Sequence, residues 1–103
     1  MTTESQKSEK SDENNVYIGK RSSMSYVMAS LIILNKGEDC VMKARGRSIS
    51  HAVDCAEILI RKFYPSASYK DIRISTEALT DDAGKTTNVS AIEIVITPNS
   101  PKK

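Results

Sequence analysis

Between Met24 and Leu34 the chain is apolar on almost every side of a potential helix, with Met24, Tyr26, Val27, Met28, Ala29, Leu31, Ile32, Ile33 and Leu34. A helix apolar all round must be buried on more than one face. One face can pack on a sheet, and the other is available to a subunit interface. Ser22 or Ser23 can cap its start, and Gly37 is placed to end it after Asn35. With 103 residues, no Trp and one Phe, the chain makes one small domain whose core is Ile, Leu, Val, Met and Ala. A domain of this size buries only about two thirds of its unfolded surface, so self-association adds to its stability.

The elements around that helix follow from local patterns. Val16-Tyr17-Ile18, closed by Gly19, is a short strand, and Cys40 to Ala44 is a second. A second helix runs from about Ser50 to Phe63, with Ala52, Val53, Ala56, Leu59, Ile60 and Phe63 at helical spacing and Tyr64-Pro65 as its stop. Its polar side carries His51, Asp54, Glu57, Arg61 and Lys62, including the favourable Glu57–Arg61 pair. Tyr69–Thr76 and Val89–Thr97 alternate as strands. Between them, Glu77–Asn88 turns at Asp82-Ala83-Gly84 and is longer than a tight hairpin needs, which predicts a protruding arm. The order is β-α-β-α-β-β.

Residues 1–15 contain no apolar run and are expected to form a disordered tail, and residues 98–103 a frayed end. No signal-like segment and no run of 18 apolar residues is present, which predicts a soluble, intracellular protein with no membrane partner. Cys40 and Cys55 are expected to be small buried thiols in a reducing compartment rather than a disulfide.

Chemistry concentrates in Lys43-Ala44-Arg45-Gly46-Arg47-Ser48-Ile49-Ser50, the corner between the second strand and the second helix. A helix start offers unpartnered N–H groups and a favourable dipole to anions, and guanidinium groups grip phosphate oxygens in a fork. Alternatively, Gly46 makes a turn and its arginines are merely solvated. If the first two strands are parallel neighbours, Lys20-Arg21 emerges beside Arg45 and Arg47, at the carboxyl edge where α/β sheets bind ligands. Charge is uneven as well: two Lys face four Asp/Glu in residues 1–15, against 13 Lys/Arg and nine Asp/Glu afterwards. Convergence of the two loops favours a phosphate site over solvated arginines.

The runs Val16-Tyr17-Ile18-Gly19-Lys20-Arg21, Met24-Ser25-Tyr26-Val27 and Lys43–Ser50 resemble the Alba family of archaeal chromatin proteins. Ala52-Val53-Asp54, Ala56-Glu57-Ile58 and Val89–Ile94 extend the likeness, which covers about Val16 to Ile96 in order. The resemblance implies a two-layer α/β domain like the C-terminal domain of translation initiation factor three, with a mixed sheet and two helices on one face, over residues 16–97. It implies a homodimer that binds double-stranded DNA with little sequence preference, and RNA as well, without enzymatic activity or cofactor. Chromosome-associated packaging in the cytoplasm follows, with DNA condensation. Matching the family's motifs, Lys20, Arg21, Lys43, Arg45, Arg47 and the arm residue Lys85 are expected to contact nucleic acid, and Tyr26 lies near the RNA surface. Lys20 matches a lysine whose acetylation weakens binding, which implies a deacetylase partner; Phe63 matches a dimer–dimer contact along DNA.

Three departures qualify the likeness. Lys20-Arg21-Ser22 stands where the family has two lysines and a proline, so a charge switch would rest on Lys20 alone. The arm has Lys85 and Asn88 where arginines are common and adds Asp81 and Asp82, which predicts weaker arm contacts. His51 replaces a helix lysine and carries little charge at neutral pH. The competing readings are an RNA-binding role in a ribonucleoprotein or RNA-maintenance complex, with Tyr26 stacking on an unpaired base, an interaction module built on the apolar helix, and a Cys–His enzyme or zinc site. For the last, His51 and Cys55 share a helix with Asp54, but two ligands are too few for zinc and no oxyanion donors are apparent.

Overall fold

The computed structural model describes residues 14–98. Strand β1 spans Asn15–Tyr17, helix α1 Ser23–Asn35, β2 Cys40–Arg45 and helix α2 Ser48–Ile58, which continues into a π-helical turn at Leu59–Phe63. Strands β3, Ser68–Thr80, and β4, Thr86–Thr97, complete the chain. The sheet order is β1-β2-β4-β3, with β1 parallel to β2 and the other neighbours antiparallel. This is the two-layer α/β domain with a mixed sheet expected from the sequence. The disorder expected of residues 1–13 and 99–103 lies outside the described residues.

Register decides which side chains meet the helices. Met42 is paired with Val16 and Ile94, Ala44 with Ile92, and Cys40 with Ile96, so these alternate residues share one face. Against that face α1 places Val27, Ile33 and Leu34, and α2 places Ala52, Cys55 and Ala56, with Leu59 following. Helix α1 packs on β1 and β2, and α2 on β2 and β4. Small residues on α2 let the helix approach the sheet closely. Buried Ser30 donates to the Tyr26 carbonyl at 2.9 Å, which satisfies its hydroxyl inside the helix.

Caps agree with the sequence chemistry. Ser22 is the N-cap of α1, and its hydroxyl accepts from the Ser25 amide. Gly37, at φ +83°, lets its amide reach the Leu34 carbonyl and end the helix. Asn15 belongs to β1, paired with Val41, rather than to the tail. Pro98 is buried, and its carbonyl accepts from Ser66, so the chain is still fixed there. Helix α2 starts at Ser48 rather than Ser50, and its last stretch widens so that the Tyr64 amide bonds to the Leu59 carbonyl. Apolar spacing does not separate a final π turn from ordinary helix.

The largest difference concerns the arm. Residues 77–80 and 86–88 are ladder, with Glu77 opposite Val89 and Thr80 opposite Thr86. Both faces of this hairpin end are exposed, so the alternation that marks half-buried strands is absent there. Its tip is closed by Asp81, whose carboxylate accepts from the Ala83 and Lys85 amides at 3.0 and 2.9 Å. Both thiols are free and buried. Desolvation pushes the Cys40 thiol up to about 11. At pH 8 it therefore stays protonated, and a thiol reagent is expected to label Cys40 only as fast as the protein unfolds; rapid labelling of the native protein would contradict this burial.

Candidate nucleic-acid interface

The parallel pairing of β1 with β2 brings two basic loops to one edge of the sheet. Tyr17 is opposite Lys43, and the Ile18 amide donates to the Lys43 carbonyl at 2.8 Å. Lys20 and Arg21 leave the end of β1 while Arg45, Gly46 and Arg47 leave the end of β2. Gly46 has φ +54°, and its amide donates to the Ser90 carbonyl at 2.8 Å while its own carbonyl receives the Ile49 amide. Nothing crowds a Cβ there, so the glycine is required by backbone conformation and not by space. Arg47 is the N-cap of α2, and no side chain caps the helix start. Lys20, Arg21 and Arg47 are exposed and make no ion pair with any described residue.

A polar knot fixes the first loop to both helices. The Tyr26 hydroxyl accepts from the Gly19 and Arg21 amides at 2.9 and 3.0 Å. His51, in the first turns of α2, places Nδ1 3.0 Å from the Gly19 carbonyl and Nε2 3.0 Å from the Ser23 hydroxyl. A carbonyl only accepts, so Nδ1 carries the proton, and in the neutral ring Nε2 accepts from Ser23. The two rings meet edge to face, 5.6 Å apart at 81°. Tyr26 is only 9% exposed, so its ring has no open face for the base stacking considered for it. Its hydroxyl organises the Lys20-Arg21 loop instead.

The remaining basic candidates lie elsewhere. Lys43 and Arg45 alternate with core residues and so project from the helix-free face of the sheet. There Arg45 Nε pairs with Glu77 at 2.6 Å, and Lys43 Nζ lies 3.5 Å from Glu93 and 6.0 Å from the Tyr17 ring centre. Arg73 completes the row, 3.5 Å from Glu93 and 2.8 Å from Asp71. The Arg73 guanidinium holds the Asp71 carboxyl below the usual carboxylate range. Lys85 sits at the arm tip, far along the hairpin from the corner. Phe63 is partly exposed at the end of the π turn.

With this geometry in view, comparison with known proteins is decisive. Residues 14–76 match the family model described as Alba. The chain belongs to the Alba family. It is 51% identical over 85 residues to the DNA/RNA-binding protein Alba 1 of Archaeoglobus fulgidus, covering 82% of this chain and 94% of that one. The DNA/RNA-binding protein Alba of Methanoculleus marisnigri is 46% identical, with 82% and 93% covered. The structure of Alba from Thermoplasma volcanium superposes with a TM-score of 0.76 at 44% identity, over 82% of this chain and 99% of the other.

Within this Alba domain the Cys–His alternative finds no geometry. Both His51 nitrogens are occupied by Gly19 and Ser23, and the Cys55 thiol is directed at the Ser23 carbonyl. Burial also raises the Cys55 thiol away from thiolate chemistry. Among the described residues no three potential ligands gather around a metal position, and no helix is long and apolar enough to cross a membrane. Tyr17, Glu77 and Glu93 carry no local signal of a site in the sequence beyond their places in strands and arm. Alternation puts Tyr17 opposite the buried Val16 and Ile18, but its neighbours on the sheet follow only from register. Tyr26→Phe removes one acceptor from two loop amides and is expected to cost about 1–3 kcal/mol. Hydrogen exchange at Gly19 and Arg21 should accelerate while β4 amides keep their protection; unchanged exchange at both would rule out the knot.

Proposed function

We propose that this chain is a sequence-nonspecific binder of double-stranded DNA that also takes RNA, acting as a homodimer in chromosome packaging in the cytoplasm. The observation that carries this reading is the single cationic edge. Lys20 and Arg21, on a loop braced by Tyr26 and His51, leave the sheet at the same edge as Arg45 and Arg47, and Arg47 is the N-cap of a helix start that no side chain caps. Cations fixed on one edge displace counterions from phosphates and supply affinity without reading bases. The names of the relatives, DNA/RNA-binding protein Alba, support the same reading. Lys85 at the arm tip extends the contact along the duplex, weakened by neighbouring Asp82.

Self-association is supported by apolar surface that the chain's own helices leave uncovered. Ile72 and Ile74 lie opposite Ile94 and Ile92, on the helix side of the sheet, yet are 51% and 78% exposed. Met24, Met28 and Ile32 add an exposed stripe on α1 at intervals of four residues. A twofold partner covering β3 doubles the cations facing one duplex. Phe63 is exposed and suits a contact between dimers on DNA. Acetylation of Lys20 would remove one cation that no neighbouring lysine replaces, and a deacetylase would restore it.

The test is a salt series on a random-sequence duplex followed by anisotropy. Wild type should give a log–log line with a slope of several units, and Arg45→Ala with Arg47→Ala should weaken binding to all sequences alike and flatten that slope by about two per protomer. Loss confined to particular sequences would overturn the backbone-contact reading.

A further inference from the structure

On the face of the sheet opposite the helices, a groove of about 370 Å³ lies between β1, β2, β4 and the base of the arm. Tyr17, Lys43, Arg45, Ser48, Glu77 and Glu93 line it. Its volume falls within the roughly 300–1,000 Å³ of small-ligand sites. Beside the phosphate corner, two chemistries meet here that backbone contact with a duplex does not require: an aromatic wall and a pair of carboxylates. Tyr17 is 60% exposed and stands as an aromatic wall. Arg45 and Ser48 mark the phosphate corner, and two carboxylates sit among the cations.

We propose that this groove holds one unpaired ribonucleotide of a single-stranded RNA. Its base displaces the Lys43 ammonium from over the Tyr17 ring and stacks there, its phosphate lies on Arg45, and its 2′-hydroxyl donates to Glu93. The proposal rests on the reading of the Arg45 corner as a phosphate site. Tyr17, Lys43 and Glu93 occupy one cross-strand row. Strands stand about 4.8 Å apart, so the row spans about 10 Å from Tyr17 to Glu93, enough for a base with its sugar. Arg45 lies two residues further along β2, and its guanidinium reaches across β4 to Glu77, toward the sugar end.

The ion pairs on this face permit the exchange. Arg45 and Glu77 are 57% and 41% exposed, and surface pairs of that kind are weak, so a phosphate oxygen can replace the Glu77 carboxylate. Glu93 contacts Lys43 and Arg73 at 3.5 Å each, longer than a charge-assisted hydrogen bond, which leaves it capacity for another donor. A carboxylate accepts only. The ribose hydroxyl is the donor that separates RNA from DNA at such a site.

The experiment compares a labelled single-stranded RNA, the DNA strand of the same sequence and a random duplex by anisotropy. Tyr17→Ala should weaken RNA binding about ten-fold and leave duplex affinity within about two-fold, and Tyr17→Phe should retain RNA affinity. Wild type should prefer RNA to the matched DNA strand, and Glu93→Ala should erase that preference. Equal loss on RNA and duplex, no loss at all, or no wild-type preference for the ribose strand would each overturn the proposal. A wild type that binds no duplex but keeps Tyr17-dependent RNA binding would sink the double-stranded reading and leave this one standing. Circular dichroism melts of each variant separate a lost contact from a lost fold.

Discussion

The parallel register of β1 on β2 is the constraint from which the rest of the molecule follows. Two parallel strands cannot be joined by a tight turn, so the connection must cross the sheet, and α1 is that crossing. The same register sends both strands out at one edge. There the chain must change direction twice, once into α1 and once into α2, and both turns carry cations. Had the two strands paired antiparallel, Lys20-Arg21 and Arg45-Gly46-Arg47 would lie at opposite ends of the sheet and no common site could exist.

Placing two loops together is not enough to make a surface, because loops of this length are otherwise free to move. Tyr26 and His51 remove that freedom by hydrogen bonds that start on the two helices and end on the backbone of the first loop. Each side chain is anchored by the packing of its helix against the sheet, so the geometry of the basic edge is inherited from the core. The two helices stop short of β3, however. Tyr69, whose hydroxyl reaches the Glu57 carboxylate, bridges the gap at one end, while Ile72 and Ile74 are left facing solvent. The half-covered β3 is therefore the surface on which the proposed second copy would sit.

The legibility of these features in the sequence tracks burial. Strand β2 and the C-terminal part of β4 alternate clearly because one face is dry, and α1 announces itself by being apolar throughout. The hairpin beyond Glu77 has no dry face, and only its Thr and Val content favours strand, so the sequence shows a protruding arm there but not that its sides continue the ladder. The basic corner could be read because Arg-Gly-Arg next to a helix start is local. Tyr26 and His51 could not be assigned properly from sequence, since their partners lie five to 32 residues away and are mostly backbone atoms. A polar tip on an aromatic ring looks the same whether it braces a loop or faces a ligand.

Net charge is a poor guide to this surface because the fold sorts its charges. Glu57, Asp39, Asp71 and Glu93 meet Arg61, Lys70, Arg73 and Lys43 on the sheet and helix flanks, which neutralises those regions. Among the described residues Lys20, Arg21 and Arg47 receive no such partner, so the chain's formal excess of +2 understates the field at the one edge where they gather. Arg45 stands between the two regimes. Its guanidinium is paired with Glu77 on the helix-free face, so an anion arriving at Arg45 must displace that carboxylate. The pair is therefore a competitor for anions at Arg45, and in the proposed groove it would separate ligands that bring phosphate alone from those that also bring a donor for the carboxylates beside it.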